Sequence, residues 1–153
     1  MKKIDQLSVQ LIRDNGKMIE SPISDYISAL PFIINEIGFS TIEKAMLLCM
    51  GYDDDPIGYS MIGMGNADKI IIDIAEVYRI ALLANARSII IAHNHLGTSL
   101  IPTESDLLTT KKIGQIGNML GIKLIDSVIV NADGECQSIR KYLMEKENEN
   151  EVE

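Results

Sequence analysis

Cysteine is scarce in this chain. Among 153 residues there are two, Cys49 and Cys136, too few for a disulfide framework or an all-cysteine zinc site. Cys49 falls in an apolar stretch and reads as core packing. No apolar run is long enough to cross a bilayer, and Met1-Lys2-Lys3 leads into a polar stretch and not into a signal peptide. The expectation is a cytoplasmic protein with no membrane contact. Basic residues are also in deficit. Fourteen Lys and Arg against 22 Asp and Glu leave a net charge of −8, which argues against broad binding to a phosphate backbone. No strong nucleic-acid binding is expected. Repeats and linker-like stretches are lacking, so a single domain is expected. Part of the acidity lies in Glu145–Glu153. Residues 1–143 are therefore expected to form the domain, and 144–153 an acidic, frayed tail.

What is present is an ordinary globular mixture, 46% hydrophobic and 24% charged. Gln6 to Arg13 alternates like a strand, with Leu7, Val9 and Leu11 on one face. Ser21-Pro22 is a fair helix start, and Ile23, Ile27, Leu30, Ile34 and Ile37 fall on one helical face, interrupted by Pro31. Ala45–Met50 and Ile57–Gly63 read as two strands of a hairpin, joined by an acidic loop. Asp53, Asp54 and Asp55 in that loop lack the remaining ligand positions of a calcium loop. A helix begins at Asp73 or Ala75, with Val77, Ile80, Ala81 and Ala84 as its stripe. Ile89–Ala92 reads as a buried central strand. Thr103–Leu120 reads as a helix stopped by Gly121, with Ile113, Ile116 and Leu120 inward. Lys123–Val130 is a strand, and a last short strand is expected near Gln137–Arg140. Alternating strands and helices imply a mixed sheet between helices.

The two histidines of the chain, His93 and His95, stand together at the end of the central strand. Side chains two apart on a strand share a face, so both imidazoles can aim at one point. Asp106 can return to that point after a loop. Two nitrogens and one carboxylate oxygen leave a tetrahedral zinc with one open position, which is the catalytic pattern. Each piece has a plainer explanation. Two histidines can simply end a strand, and Thr103-x-x-Asp106 is a good helix N-cap with an acid in the first turn. The readings are compatible, because a helix start at Thr103 would hold Asp106 on a rigid turn beside the strand end.

The run from Glu76 to His95, Glu-Val-Tyr-Arg-Ile-Ala-Leu-Leu-Ala-Asn-Ala-Arg-Ser-Ile-Ile-Ile-Ala-His-Asn-His, closely resembles the bacterial RadC family. That family belongs to the JAB/MPN/JAMM superfamily of zinc metalloproteases, whose motif is a glutamate on an early strand, then H-x-H, then S-x-x-D. Pro102 precedes Thr103-Glu104-Ser105-Asp106 as it does in RadC, and Leu120-Gly121-Ile122 and Leu124-Ile125-Asp126 match the continuation. By this resemblance the glutamate is Glu43, entering Ala45–Met50, with Glu36 as the competitor. The chain departs from the family at Leu96-Gly97-Thr98-Ser99, where RadC has Pro-Ser-Gly-Asp. Thr103 replaces the serine, Ile74-Ala75-Glu76 replaces Pro-Arg-Glu, and Ser127 replaces a histidine. These changes bear on the loop from Leu96 to Pro102 and on substrate choice.

The resemblance implies an α/β fold, a three-layer α/β/α sandwich of cytidine-deaminase-like JAB/MPN type with a mixed sheet. It implies a zinc cofactor held by His93, His95 and Asp106, with Glu43 as general base and the Thr103 hydroxyl assisting at the oxyanion. The expected activity is metal-assisted hydrolysis of an amide, with a peptide or protein carrying a peptide or isopeptide bond as partner. Two alternatives stand beside it. One is a non-catalytic metal-binding interaction module. The other is a DNA-repair or mobile-element accessory role, weakened by the acidic balance and by the expected lack of the N-terminal helix-hairpin-helix segment that RadC proteins often carry. A nucleobase deaminase would need H-x-E with P-C-x-x-C, and neither is present. Self-association as a homo-oligomer is left open.

Overall fold

A computed structural model describes residues 4, 6, 8, 10–14, 16–19, 22–65 and 70–151. The elements in order are α1 (Tyr26–Ile33), β1 (Lys44–Met50), β2 (Pro56–Met64), α2 (Ile74–Leu83), β3 (Ser88–Asn94), α3 (Glu104–Leu120), β4 (Lys123–Val130), β5 (Cys136–Ser138) and α4 (Ile139–Glu151). The five strands form one mixed sheet in the order β2-β1-β3-β4-β5. β1 runs antiparallel to β2 and β3, β4 antiparallel to β5, and β3 parallel to β4, with α3 as the crossover.

Period-two alternation divides the core. Ala45, Leu47 and Cys49 of β1, with Ile89 and Ile91 of β3, pack on Val77, Tyr78 and Ala81 of α2 and Ile113 of α3. The intervening Met46, Leu48, Met50, Ile90 and Ala92 face Ala29, Ile33 and Ile37 on the other side. Helices thus cover both faces, the α/β/α sandwich expected from the sequence. A strand enclosed on both faces loses the polar half of its alternation, and all seven residues of β3 are buried. Each such isoleucine contributes roughly 1.5–3 kcal/mol by leaving water. Cys49 is packing, and burial pushes its thiol pKa up to about 11. No helix among the described residues is long and apolar enough to cross a membrane.

Several expectations need correction. The described residues within Gln6–Arg13 form no strand; Leu7 and Val9 lie outside the described residues, as does Ser21. The first helix starts later than Ser21-Pro22, because Asp25 and Ser28 form a reciprocal capping box there. Its inward stripe is Ala29, Ile33 and Ile37, each four apart, while Ile27 points out at 60% exposure. Pro31 sits inside α1, where the N–H it lacks would have bonded back to the Ile27 carbonyl, and a π-helical turn at Ile34–Gly38 follows the helix. Leu120 is exposed and Ile113 is the buried anchor of α3. The last strand ends at Ser138, whose hydroxyl accepts the Lys141 N–H and starts a helix where Arg140 was read as strand. The acidic run expected to fray continues α4 as far as Glu151.

Candidate metal centre

β3 delivers the two histidines and the first turn of α3 delivers the carboxylate. The helix start is fixed by its own sequence. Thr103 Oγ1 accepts the Asp106 N–H at 3.1 Å, and Asp106 Oδ2 accepts the Thr103 N–H at 2.8 Å. This capping box holds Asp106 in one rotamer. Pro102 ahead of it is buried, and Gly121 closes α3 in the left-handed region at φ 70°.

The three side chains converge. His93 Nε2 lies 3.2 Å from His95 Nε2, 3.4 Å from Asp106 Oδ1, and His95 Nε2 lies 3.6 Å from Asp106 Oδ2. A tetrahedral zinc with bonds of 2.0–2.1 Å has ligand–ligand edges of about 3.3–3.4 Å. The three contacts lie near that edge length and use both carboxylate oxygens, Oδ1 toward His93 and Oδ2 toward His95. Two imidazole nitrogens so close cannot both present lone pairs without a cation or proton between them. His95 Nδ1 lies 3.0 Å from the Ser99 carbonyl. That oxygen can only accept, so Nδ1 carries the proton and Nε2 is left for the cluster, the orienting bond that metal-ligating histidines make. Among the described residues, this is the His/Cys/Asp/Glu group that could hold a metal. Two imidazoles and one carboxylate suit zinc and also iron(II).

The electrostatics agree with a site built for a cation. For Asp106 the largest influence is burial, which raises its pKa. Hydrogen bonds with His93 and His95, the His93 charge and the Thr103 backbone outweigh it and hold the carboxyl well below the usual range. The His95 pKa is raised, chiefly by its hydrogen bond to Asp106; burial opposes this, and the Ser99 carbonyl and the charges of Asp106 and Glu43 add to it.

Glu43 stands half-buried just before β1. β1 and β3 pair with Ala45 opposite His93; two residues further back, Glu43 falls opposite His95 and on the same side of the sheet as both histidines. The competitor Glu36 is elsewhere, 2.6 Å from Lys17 Nζ in an ion pair. Thr103 is exposed at the rim. The loop after His95 departs from the RadC pattern, yet it is held at Ser99 by His95 and at Thr98, whose carbonyl accepts from Asn131 Nδ2 at 3.5 Å.

Sequence reasoning missed a cavity of about 260 Å³ against His93 and Asp106, bordered by Ser105, Thr110, Ser127, Ile72 and Ile113 among others. His93 Nδ1 is buried and has no hydrogen-bond partner among the described residues. The cavity is large enough to hold solvent. The available signal was Ser127, a small residue where the family pattern has a histidine.

Residues 23–145 match the RadC-like JAB domain family. Similar proteins include a UPF0758 protein of Finegoldia magna, 32% identical over 78% of this chain and 53% of its own length. A UPF0758 protein of Thermotoga maritima is 34% identical over 60% of this chain and 41% of its own. A UPF0758 protein of Listeria monocytogenes, lmo1549, is 31% identical over 78% and 50%. The chain spans about half the length of the curated relatives it matches. With the sheet order, the placement of His93, His95 and Asp106, and a match over most of its length, the chain belongs to the RadC-like JAB domain family.

Proposed function

We propose that this chain is a zinc-dependent metallohydrolase of the JAMM type that cleaves a peptide or isopeptide bond in a peptide or protein substrate. The observation that carries this reading is the convergence of His93 Nε2, His95 Nε2 and the Asp106 carboxylate, with Glu43 beside them on the same sheet face. A zinc ion there supplies Lewis acidity and brings the pKa of water toward neutrality.

The remaining chemistry falls to the side chains. Glu43 takes the proton of the attacking water and returns it to the leaving amine. The Thr103 oxygen accepts the Asp106 N–H, and its own O–H stays available to donate to the developing oxyanion. Ser99 keeps His95 in one tautomer and orientation. The loop from Leu96 to Pro102 shapes the rim, and the cavity beside His93 takes a substrate side chain.

The test combines metal content with turnover. Protein purified without chelator should carry one zinc per chain and cleave some member of a panel of peptide and isopeptide-linked reporters. Glu43→Gln should keep the zinc and lose roughly 10²–10⁴-fold in turnover. Loss of zinc in that variant would refute its role as base. Wild-type protein that holds zinc and cleaves nothing across the panel would make the chain a metal-holding interaction module.

A further inference from the structure

The residue between the two histidines has a task of its own. We propose that Asn94 is the positioning residue for Glu43, clamping the backbone on both sides of it to the end of β3. The clamp is seen directly in the hydrogen bonds; its catalytic consequence rests on Glu43 being the general base, as proposed above.

Asn94 is fully buried, at 0% exposure. Both ends of its side-chain amide are used. Oδ1 accepts the Lys44 N–H at 2.7 Å, and Nδ2 donates to the Ile42 carbonyl at 3.2 Å. These two groups flank Glu43 in the chain. The Glu43 carbonyl accepts the Gly65 N–H at 2.8 Å from the β2 side. The segment carrying Glu43 is therefore held from both neighbouring strands.

The clamp is needed because the backbone ladder stops short. The pairing of β1 with β3 ends at Ala45 opposite His93. Beyond it, the Asn94 amide supplies one donor and one acceptor to the Lys44 N–H and Ile42 C=O, as a neighbouring peptide group would. His93 and His95 flank the same residue, so a single tripeptide fixes two ligands and the backbone of the base. A general base must come within about 2.6–3.2 Å of its proton. A misplacement of about 1 Å can cost on the order of 10²-fold in rate.

The test compares Asn94→Ala, Glu43→Gln and the double variant, in full-length protein loaded with zinc or cobalt(II). Asn94→Ala should accelerate amide exchange at Lys44 at least about tenfold, because that N–H loses its acceptor. Exchange at Ile90 and Ile91 in the middle of β3, and one metal per chain, should be unchanged. The cobalt absorption spectrum should shift in Asn94→Ala, and Asn94→Ala should add nothing once Glu43→Gln is present. In turnover, kcat should fall roughly 10–100-fold with KM unchanged.

Unchanged Lys44 exchange would overturn the clamp. So would loss of metal, or faster exchange at Ile90 and Ile91, since Asn94 would then support the strand itself. An equal spectral shift with and without Glu43 would show that Asn94 does not act through that residue, and would overturn the positioning role. Should Asn94→Ala fail to fold, Asn94→Asp keeps the acceptor for Lys44 and replaces the donor to Ile42. It should retain Lys44 protection while shifting the cobalt spectrum, and an unshifted spectrum would overturn the proposal. Exchange and spectra require no substrate, so protein that cleaves nothing refutes the hydrolase reading while these measurements still decide the clamp.

Discussion

Replacing Asp106 with asparagine removes the one anionic donor of the metal cluster while leaving most of the helix cap in place. The asparagine carbonyl can still accept the Thr103 N–H that Asp106 Oδ2 accepts at 2.8 Å. Without metal, the losses are the carboxylate's pairing with His93 and His95 and an anion in the first turn of α3, about 0.3–1 kcal/mol. For a chain of this length the second alone lowers Tm by roughly 1–4 °C. The effect on zinc-dependent stability is larger. At free zinc of about 100 times Kd, binding to the folded state alone adds about 2.7 kcal/mol, which is roughly 5–11 °C in Tm. Thermal melts in EDTA and across a zinc titration should show that gain in wild type and little of it in Asp106→Asn. Glu43→Gln serves as the control and should keep the whole gain. The gain should also shrink as pH falls from about 8 to about 6, because zinc must displace the proton that Asp106 helps His95 to hold. A wild-type-sized zinc shift in Asp106→Asn, or its loss in Glu43→Gln, would refute the assignment of ligand and base.

Thr103→Ser should be nearly silent in melts and turnover because it keeps the capping hydroxyl, whereas Thr103→Ala should cost about 1 kcal/mol and reduce turnover as well. Gly117→Ala should lower Tm by several degrees. Its Cβ would overlap the Ile122 carbonyl and lie 2.8 Å from the Tyr78 hydroxyl, which donates to the Ile113 carbonyl; overpacking of roughly 1–3 kcal/mol outweighs about 0.5–1 kcal/mol of helix propensity. With a net charge of −8, the protein should bind duplex DNA weakly at physiological salt in an anisotropy titration, and tight binding with a steep salt slope would favour the accessory role in DNA repair.

The site was legible in the sequence where short-range periodicity governs it. H-x-H on an apolar strand and T-x-x-D at a helix start each fix side-chain direction within a few residues, and the structure brings His93, His95 and Asp106 together as that pattern requires. The Asn94 hydrogen bonds span about fifty positions and leave no periodic trace. The cavity likewise arises from residues of β3, α3 and β4 packed across layers. Helix boundaries failed for local reasons. Ser21-Pro22 is a fair helix start in sequence, but the cap that closes reciprocally on α1 is Asp25-x-x-Ser28. α4 was missed because its exposed, charged face carries no apolar stripe beyond its first turns.

On the proposed reading, the ligands and the base belong to different parts of the chain. His93, His95 and Asp106 sit within one strand–loop–helix unit, whereas Glu43 arrives on the β1–β2 hairpin at the sheet edge. A partial opening that peels this hairpin from β3 breaks the Ala45–His93 pairing and carries Glu43 away, while the three ligands keep their common support. Local and sub-global openings span free energies up to that of the whole fold, and the buried residues of β1 put this one toward the upper end. Metal content and catalytic competence are then separate clocks in unfolding: a preparation can retain its full complement of metal while a fraction of its molecules has already lost the base.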